Sequence, residues 1–325
     1  MSDVTPPADP PADPPVGRGP GSAERRTVPV VTEPPGKVRP MIERVGVVGC
    51  GLMGSGIAEV CARAGFDVLV HEVDAGAAER GRDRLVKSLD RAVTANKLDP
   101  GSRDETVQRL GFTTDLGDFA DRDLVVEAVI ESEDAKVAVF RTLDQVITNP
   151  DVILASNTSS IPIMKLAMAT GRPANVIGMH FFNPVPVMNL VEVVTSLLTS
   201  EVTEQQVDTF ASQQLHKRVI RSQDRAGFIV NALLIPYILS AIRMLESGFA
   251  TAPDIDAGMV EGCNHPMGPL ALADLIGLDT TMAVAESLYD EFREQLYAPP
   301  PLLARMNEAG LLGRKAGRGF YEYKR

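Results

Sequence analysis

The chain has 325 residues, 44% of them hydrophobic, with 27 Gly, 3 Cys and no Trp, a balance that excludes collagen-like, disulfide-scaffold and wholly disordered chains. A formal net charge of −11 argues against nucleic acid as the principal partner, because phosphate backbones demand a Lys/Arg surplus. Cys50, Cys61 and Cys263 have no CxxC or zinc-ligand spacing, so a reducing, cytoplasmic setting is expected.

Residues 1–40 hold 11 of the 24 prolines and lack any periodic apolar pattern, so they are expected to form a disordered tail rather than a secretory signal. The folded pattern opens at Met41. Arg44 to Val48 is a strand, followed by a glycine-rich turn and a helix to about Ala64. Asp67 to His71 is a second strand, and a long charged helix is expected from Asp74 to Ala95. Later strands fall at Leu124 to Ala128, Val152 to Ser156 and Val176 to His180, with helical text between them. Continuous apolar runs alternating with helices imply βαβ units and hence a doubly wound, mainly parallel α/β sheet over residues 41–224.

Past about Arg225 the pattern becomes helical: Phe228 to Ser247, Asp254 to Glu261, and Leu270 to about Gln295. A second, all-helical domain over residues 225–325 is expected. Phe228 to Ile242 is too short and too interrupted to span a bilayer, so no membrane partner is expected.

Three motifs carry chemistry. Gly49-Cys50-Gly51-Leu52-Met53-Gly54 lies between the first strand and its helix. Glycines there permit the tight turn and close approach to a pyrophosphate, which the helix N-terminus attracts. The second strand runs out at Glu72, placed to accept hydrogen bonds from ribose hydroxyls and to repel a 2'-phosphate, which favours NAD over NADP. Next, His180 closes a strand, followed by Phe-Phe-Asn183-Pro-Val-Pro, with Glu192 twelve residues on. A carboxylate folded back on an imidazole would hold its tautomer for acid/base work, against the plainer reading of a structural His and a solvated strand-end charge. Lastly, Ser156-Asn-Thr-Ser159-Ser160 follows another strand, where Ser160 is expected to cap a helix begun near Ile161 while Ser159 faces the crevice.

Together with Gly227-Phe-Ile-Val-Asn231, His265-Pro-Met-Gly-Pro-Leu270, Gly277-Leu-Asp279 and Gly317-Arg-Gly-Phe-Tyr-Glu-Tyr323, these motifs make the chain from Met41 to Lys324 resemble the L-3-hydroxyacyl-CoA dehydrogenases, especially the free-standing bacterial 3-hydroxybutyryl-CoA dehydrogenases. The resemblance implies a Rossmann-type domain binding NAD, a helical domain that pairs with a second copy, and acetoacetyl-CoA or 3-hydroxybutyryl-CoA as substrate. It makes His180 the acid/base and Glu192 its partner, with Ser159 and Asn231 at the substrate 3-oxygen. It puts Glu127, Lys136 and Asn183 near the nicotinamide, Lys315 on the cofactor and Ser88 on coenzyme A. Two positions depart from the family: Ala95 stands where a basic CoA contact is usual, and Ala232 where Arg is common. Other outcomes are a same-fold dehydrogenase for longer acyl-CoA or for a free hydroxy acid, and a cofactor-binding protein without catalysis.

Overall fold

A computed structural model describes residues 41–324; the expected tail, residues 1–40, lies outside them. The chain runs β1 (Arg44–Val48), α1 (Leu52–Arg63), β2 (Asp67–His71), α2 (Ala75–Thr94), α3 (Pro100–Gln108), β3 (Leu110–Thr113) and β4 (Leu124–Glu127). It continues through α4 (Glu133–Val146), β5 (Ile153–Ser156), α5 (Ile163–Ala167), β6 (Val176–Phe181), β7 (Leu190–Thr195), α6 (Glu201–Thr209) and β8 (Arg218–Gln223). Helices α7 (Val230–Glu246), α8 (Ala252–Cys263), α9 (Pro269–Ile276), α10 (Leu278–Phe292) and α11 (Pro301–Glu308) complete it.

The eight strands form one sheet in the order β3-β2-β1-β4-β5-β6-β7-β8. The first six are parallel and follow the doubly wound order, whose direction reverses between β1 and β4. Strand β7 then runs antiparallel to β6, and β8 parallel to β7. The strands β1, β4, β5 and β6 are apolar on both faces because helices cover both. Ile57, Ala58 and Cys61 of α1 pack on Val45, Val47 and Val126 from one side; Phe140 and Leu143 of α4 pack on Val125 and Leu154 from the other.

The helical part closes its own core around Ile238, Leu239, Ile242, Leu270, Leu288 and Leu303. Two left-handed residues, Gly227 (φ +74°) and Phe228 (φ +49°), turn the chain from the sheet into α7. Among the described residues no helix is long and apolar enough to cross a membrane.

Two sequence expectations need correction, and one plainer alternative falls. The helical stretch Leu270 to Gln295 is two helices, broken at Gly277 (φ +104°), where a Cβ would lie 2.9 Å from Asp279 Oδ1. Ser160 caps no helix: α5 starts only at Ile163, and its Ile163 and Met164 N–H groups donate to Asp224 at 2.8 and 2.7 Å. Glu192 is no solvated strand-end charge, being fully buried within β7.

Candidate active site

The glycine turn is built by its neighbours. Gly49 is left-handed (φ +90°), and a Cβ there would stand 2.8 Å from the Ala128 carbonyl oxygen. A Cβ on Gly54 would overlap the Gly49 carbonyl, whereas Gly51 faces open space. Glu72, just past β2, accepts the Cys50 N–H through Oε1 at 2.5 Å, and Arg84 of α2 donates to the Cys50 carbonyl at 2.6 Å. Burial, with Glu72 beside it, pushes the Cys50 thiol up to about 12, so it stays a protonated spacer. Leu52 and Met53 open α1, whose N-terminus has no side-chain cap. The first N–H groups of a helix have no intrahelical partner, and among the described residues no side chain caps these. Uncapped donors above a turn that only glycine can form fit a dinucleotide pyrophosphate, with Glu72 at the ribose side.

The second cluster depends on strand register. In the antiparallel β6–β7 pair His180 lies directly opposite Glu192. Imidazole Nδ1 and Glu192 Oε2 are 2.6 Å apart, with the carboxylate wholly buried and His180 7% exposed. The other oxygen, Oε1, accepts the N–H groups of Ile229 and Val230 at 3.1 and 3.0 Å. Glu192 thus answers the first turn of α7 and ties sheet to helical domain. Rings of Phe182 and Phe228 flank the imidazole, with centroids at 4.6 and 5.7 Å. A carboxylate is acceptor-only, so it keeps the Nδ1 proton in place and leaves Nε2 free to exchange one with a substrate.

A third cluster sits at the C-terminal ends of β4 and β5. Lys136 donates to Glu127 at 2.6 Å, and Glu127 also accepts the Ser156 hydroxyl at 2.6 Å and the Val129 N–H at 2.7 Å. Glu127 and Lys136 are fully buried, so they brace the ends of β4 and β5. Glu131, which the sequence reading passed over, completes the brace. It lies 3.2 Å from Lys136 and accepts from the Thr158 hydroxyl (2.5 Å), the Ser159 N–H (3.0 Å) and the Ser160 hydroxyl (3.0 Å). Burial pushes its carboxyl up, but the Lys136 ammonium and these donors outweigh burial and leave it below its ordinary value. The signal was a second carboxylate four residues beyond Glu127, straight after the strand. Asn157, the amide of the serine run, accepts the Phe181 N–H at 2.9 Å and links this loop to the His180 strand.

Ser159 is partly exposed, and its hydroxyl has no protein partner among the described residues. Asn231 follows Val230 in the first turn of α7, half-buried, and Asn183 is exposed just beyond β6. Two expected residues are engaged elsewhere. Ser88 of α2 lies against the buried carboxyl of Glu59 and counters the upward push that burial gives it, and Lys315 pairs with Asp279 at 2.5 Å within the helical domain. Neither shares a hydrogen bond with the glycine turn or the His180 pair.

Comparison with known proteins places this geometry in a family. Residues 44–225 match the NAD binding domain of 3-hydroxyacyl-CoA dehydrogenase, and residues 227–323 its C-terminal domain. A 3-hydroxybutyryl-CoA dehydrogenase of Mycobacterium tuberculosis is 58% identical over 282 residues, covering 87% of this chain and 99% of the relative. The crystal structure of M. tuberculosis FadB2 superposes with a TM-score of 0.87 at 57% identity, covering 88% of this chain and all of that one. That of the (S)-3-hydroxybutyryl-CoA dehydrogenase PaaH1 from Ralstonia eutropha gives 0.83 at 45% identity, covering 87% of this chain and all of that one. An eight-stranded doubly wound sheet, a glycine turn built for a dinucleotide and two matched domains agree: the chain is an NAD-dependent oxidoreductase and belongs to the 3-hydroxyacyl-CoA dehydrogenase family.

Proposed function

We propose that the protein interconverts (S)-3-hydroxybutyryl-CoA and acetoacetyl-CoA with NAD, using His180 and Glu192 as its acid/base pair. The observation that carries this reading is the buried 2.6 Å contact between them, at the C-terminal end of β6, the side of an open parallel sheet on which ligands bind. NAD, when bound, supplies the hydride acceptor at its nicotinamide ring. Gly49, Cys50, Gly51, Leu52, Met53 and Gly54 would hold its pyrophosphate and Glu72 its ribose. In oxidation, His180 Nε2 takes the substrate hydroxyl proton as C3 gives up its hydride, and a ketone forms. Glu192 stabilises the resulting imidazolium. In reduction, protonated His180 donates that proton to the ketone oxygen. Ser159 and Asn231 would hold the 3-oxygen against Nε2. Glu127 and Lys136 keep the ends of β4 and β5 in register, with Asn183 just beyond β6.

The same reading divides the chain into a cofactor-binding unit up to about residue 224 and a helical unit for substrate and pairing with a second copy. Leu233 and Phe249 on the helical unit are 72% and 79% exposed, which supports such pairing. Ser88 would meet coenzyme A at the α2 surface, and Lys315 the cofactor. The three free cysteines support a cytoplasmic setting.

A kinetic panel of 3-ketoacyl-CoA chain lengths, run with NADH and NADPH side by side, tests the proposal. The four-carbon substrate with NADH should give the highest kcat/KM. A kcat/KM that climbs steadily with chain length, or turnover of free hydroxy acids in preference to thioesters, overturns the substrate assignment.

A further inference from the structure

Behind the acid/base pair lies a buried cation that the reaction as derived does not use. Lys217, 9% exposed, stands just before β8, after a π-helical turn (Phe210–Gln214) and the left-handed His216 (φ +53°). Its ammonium donates to the carbonyls of Val185 (2.8 Å) and Met188 (2.7 Å). Both belong to the loop that joins β6, carrying His180, to β7, carrying Glu192. The same loop touches α1: a Cβ added to Gly56 would sit 2.8 Å from Val185 Cβ. The loop is therefore held at two points, by the lysine ammonium and by the cofactor helix.

An ammonium is costly to bury, and among the described residues no carboxylate pairs with this one, which instead donates to two carbonyls. Burial, reinforced by Arg63, pulls its proton affinity below the ordinary lysine value, while Glu59 and Cys61 act the other way. A loop held only for stability needs no buried charge, because its apolar side already packs, with Val185 2% exposed. What a charged three-donor group adds is a defined position for two carbonyls at once.

We propose that Lys217 is a positioning residue: by fixing the β6–β7 loop against α1, it sets the distance between the His180–Glu192 pair and the cofactor. The proposal rests on that pair being the acid/base.

The test is a stopped-flow first turnover at saturating NAD and 3-hydroxybutyryl-CoA, read by NADH absorbance, on the full chain and three variants. Lys217→Met keeps the stem and removes the donors. It should slow the first-turnover rate on the order of 10- to 100-fold, the scale of a misplacement near 1 Å, with an unchanged amplitude. Gly56→Ala, pressing on the same loop from the cofactor side, should also slow the rate while preserving amplitude. A merely structural role would instead lower the amplitude and the melting temperature and leave the rate of the surviving enzyme untouched. That outcome in Lys217→Met, or in Gly56→Ala where the lysine variant does not fold, overturns the proposal. His180→Gln separates the two readings. If it keeps the parent rate, the acid/base assignment falls. If it abolishes turnover while Lys217→Met keeps the parent rate, only the role of Lys217 falls.

Discussion

Glu192→Gln replaces one oxygen of a buried carboxylate by an NH2 group and leaves the side-chain volume almost unchanged. The carboxylate serves three donors: His180 Nδ1 at 2.6 Å and the N–H groups of Ile229 and Val230 at 3.1 and 3.0 Å. An amide has only one acceptor oxygen. Turned toward α7, that oxygen keeps both backbone bonds, and the NH2 faces His180. The imidazole must then accept at Nδ1 and carry its proton on Nε2, the wrong tautomer for a base. Turned the other way, the NH2 is set against two N–H donors and orphans them, at roughly 1–3 kcal/mol per group. The first arrangement wins, so the fold survives and the chemistry suffers. General acid/base catalysis contributes roughly 10²–10⁴-fold, or about 2.7–5.4 kcal/mol at ~1.36 kcal/mol per tenfold. The expected loss in kcat lies within that range, with a melting temperature near the parent's. Steady-state oxidation followed by NADH absorbance measures the first. Imidazole ¹⁵N shifts, which distinguish protonated from bare ring nitrogens, should show the proton moved to Nε2. A kcat within threefold of the parent, with the proton still on Nδ1, refutes the reasoning.

His180→Gln should lose at least ~10²-fold in kcat with NADH affinity, read by fluorescence titration, little changed. The double variant with Glu192→Gln should be no slower than the worse single one, because the two side chains act as a unit. Glu72→Ala removes the acceptor of the Cys50 N–H. It should weaken NAD binding and narrow the preference over NADP, and an unchanged ratio of the two kcat/KM values would contradict the role given to Glu72. Glu131 is held below its ordinary value, since burial is outweighed by Lys136 and the Thr158 and Ser159 donors. It therefore stabilises the fold at neutral pH, and that contribution fades as pH falls through its lowered value. Glu131→Gln should show its largest deficit in melting temperature near pH 7 and converge with the parent in acid; a deficit constant across pH would contradict this.

The doubly wound core was legible because its strands are buried on both faces and so read as unbroken apolar runs: Val45 to Val48, Val68 to Val70 and Ile153 to Ala155 are nearly all buried. The glycine turn was equally legible, since a left-handed Gly49 and a Gly54 without room for a Cβ leave their mark in local sequence. Edge strands left none. At the two margins of the sheet, β3 is a half-buried four-residue run and β8 carries Arg218 and Arg221 with no fully buried residue, so neither resembles the interior strands. The break at Gly277 was hidden by apolar periodicity continuing on both sides, although the glycine itself was in view.

In the candidate site, the residue types were legible and their partnerships were not. Composition and spacing singled out His180 and Glu192, but only the antiparallel register of β6 and β7 sets them opposite each other. Only the fold brings the first turn of α7, 37 residues further on, to the second oxygen. Glu127, Lys136 and Ser156 form one buried network, with the exposed Glu131 at its margin, because β4, β5 and α4 converge at the same sheet edge. Ser88 and Lys315 likewise took partners, Glu59 and Asp279, from elements distant in the chain. Hydrophobic period and glycine are local properties, written residue by residue. Which donor meets which carboxylate is decided by contacts between segments far apart in sequence, and those exist only once the sheet has closed and the helices have packed on it.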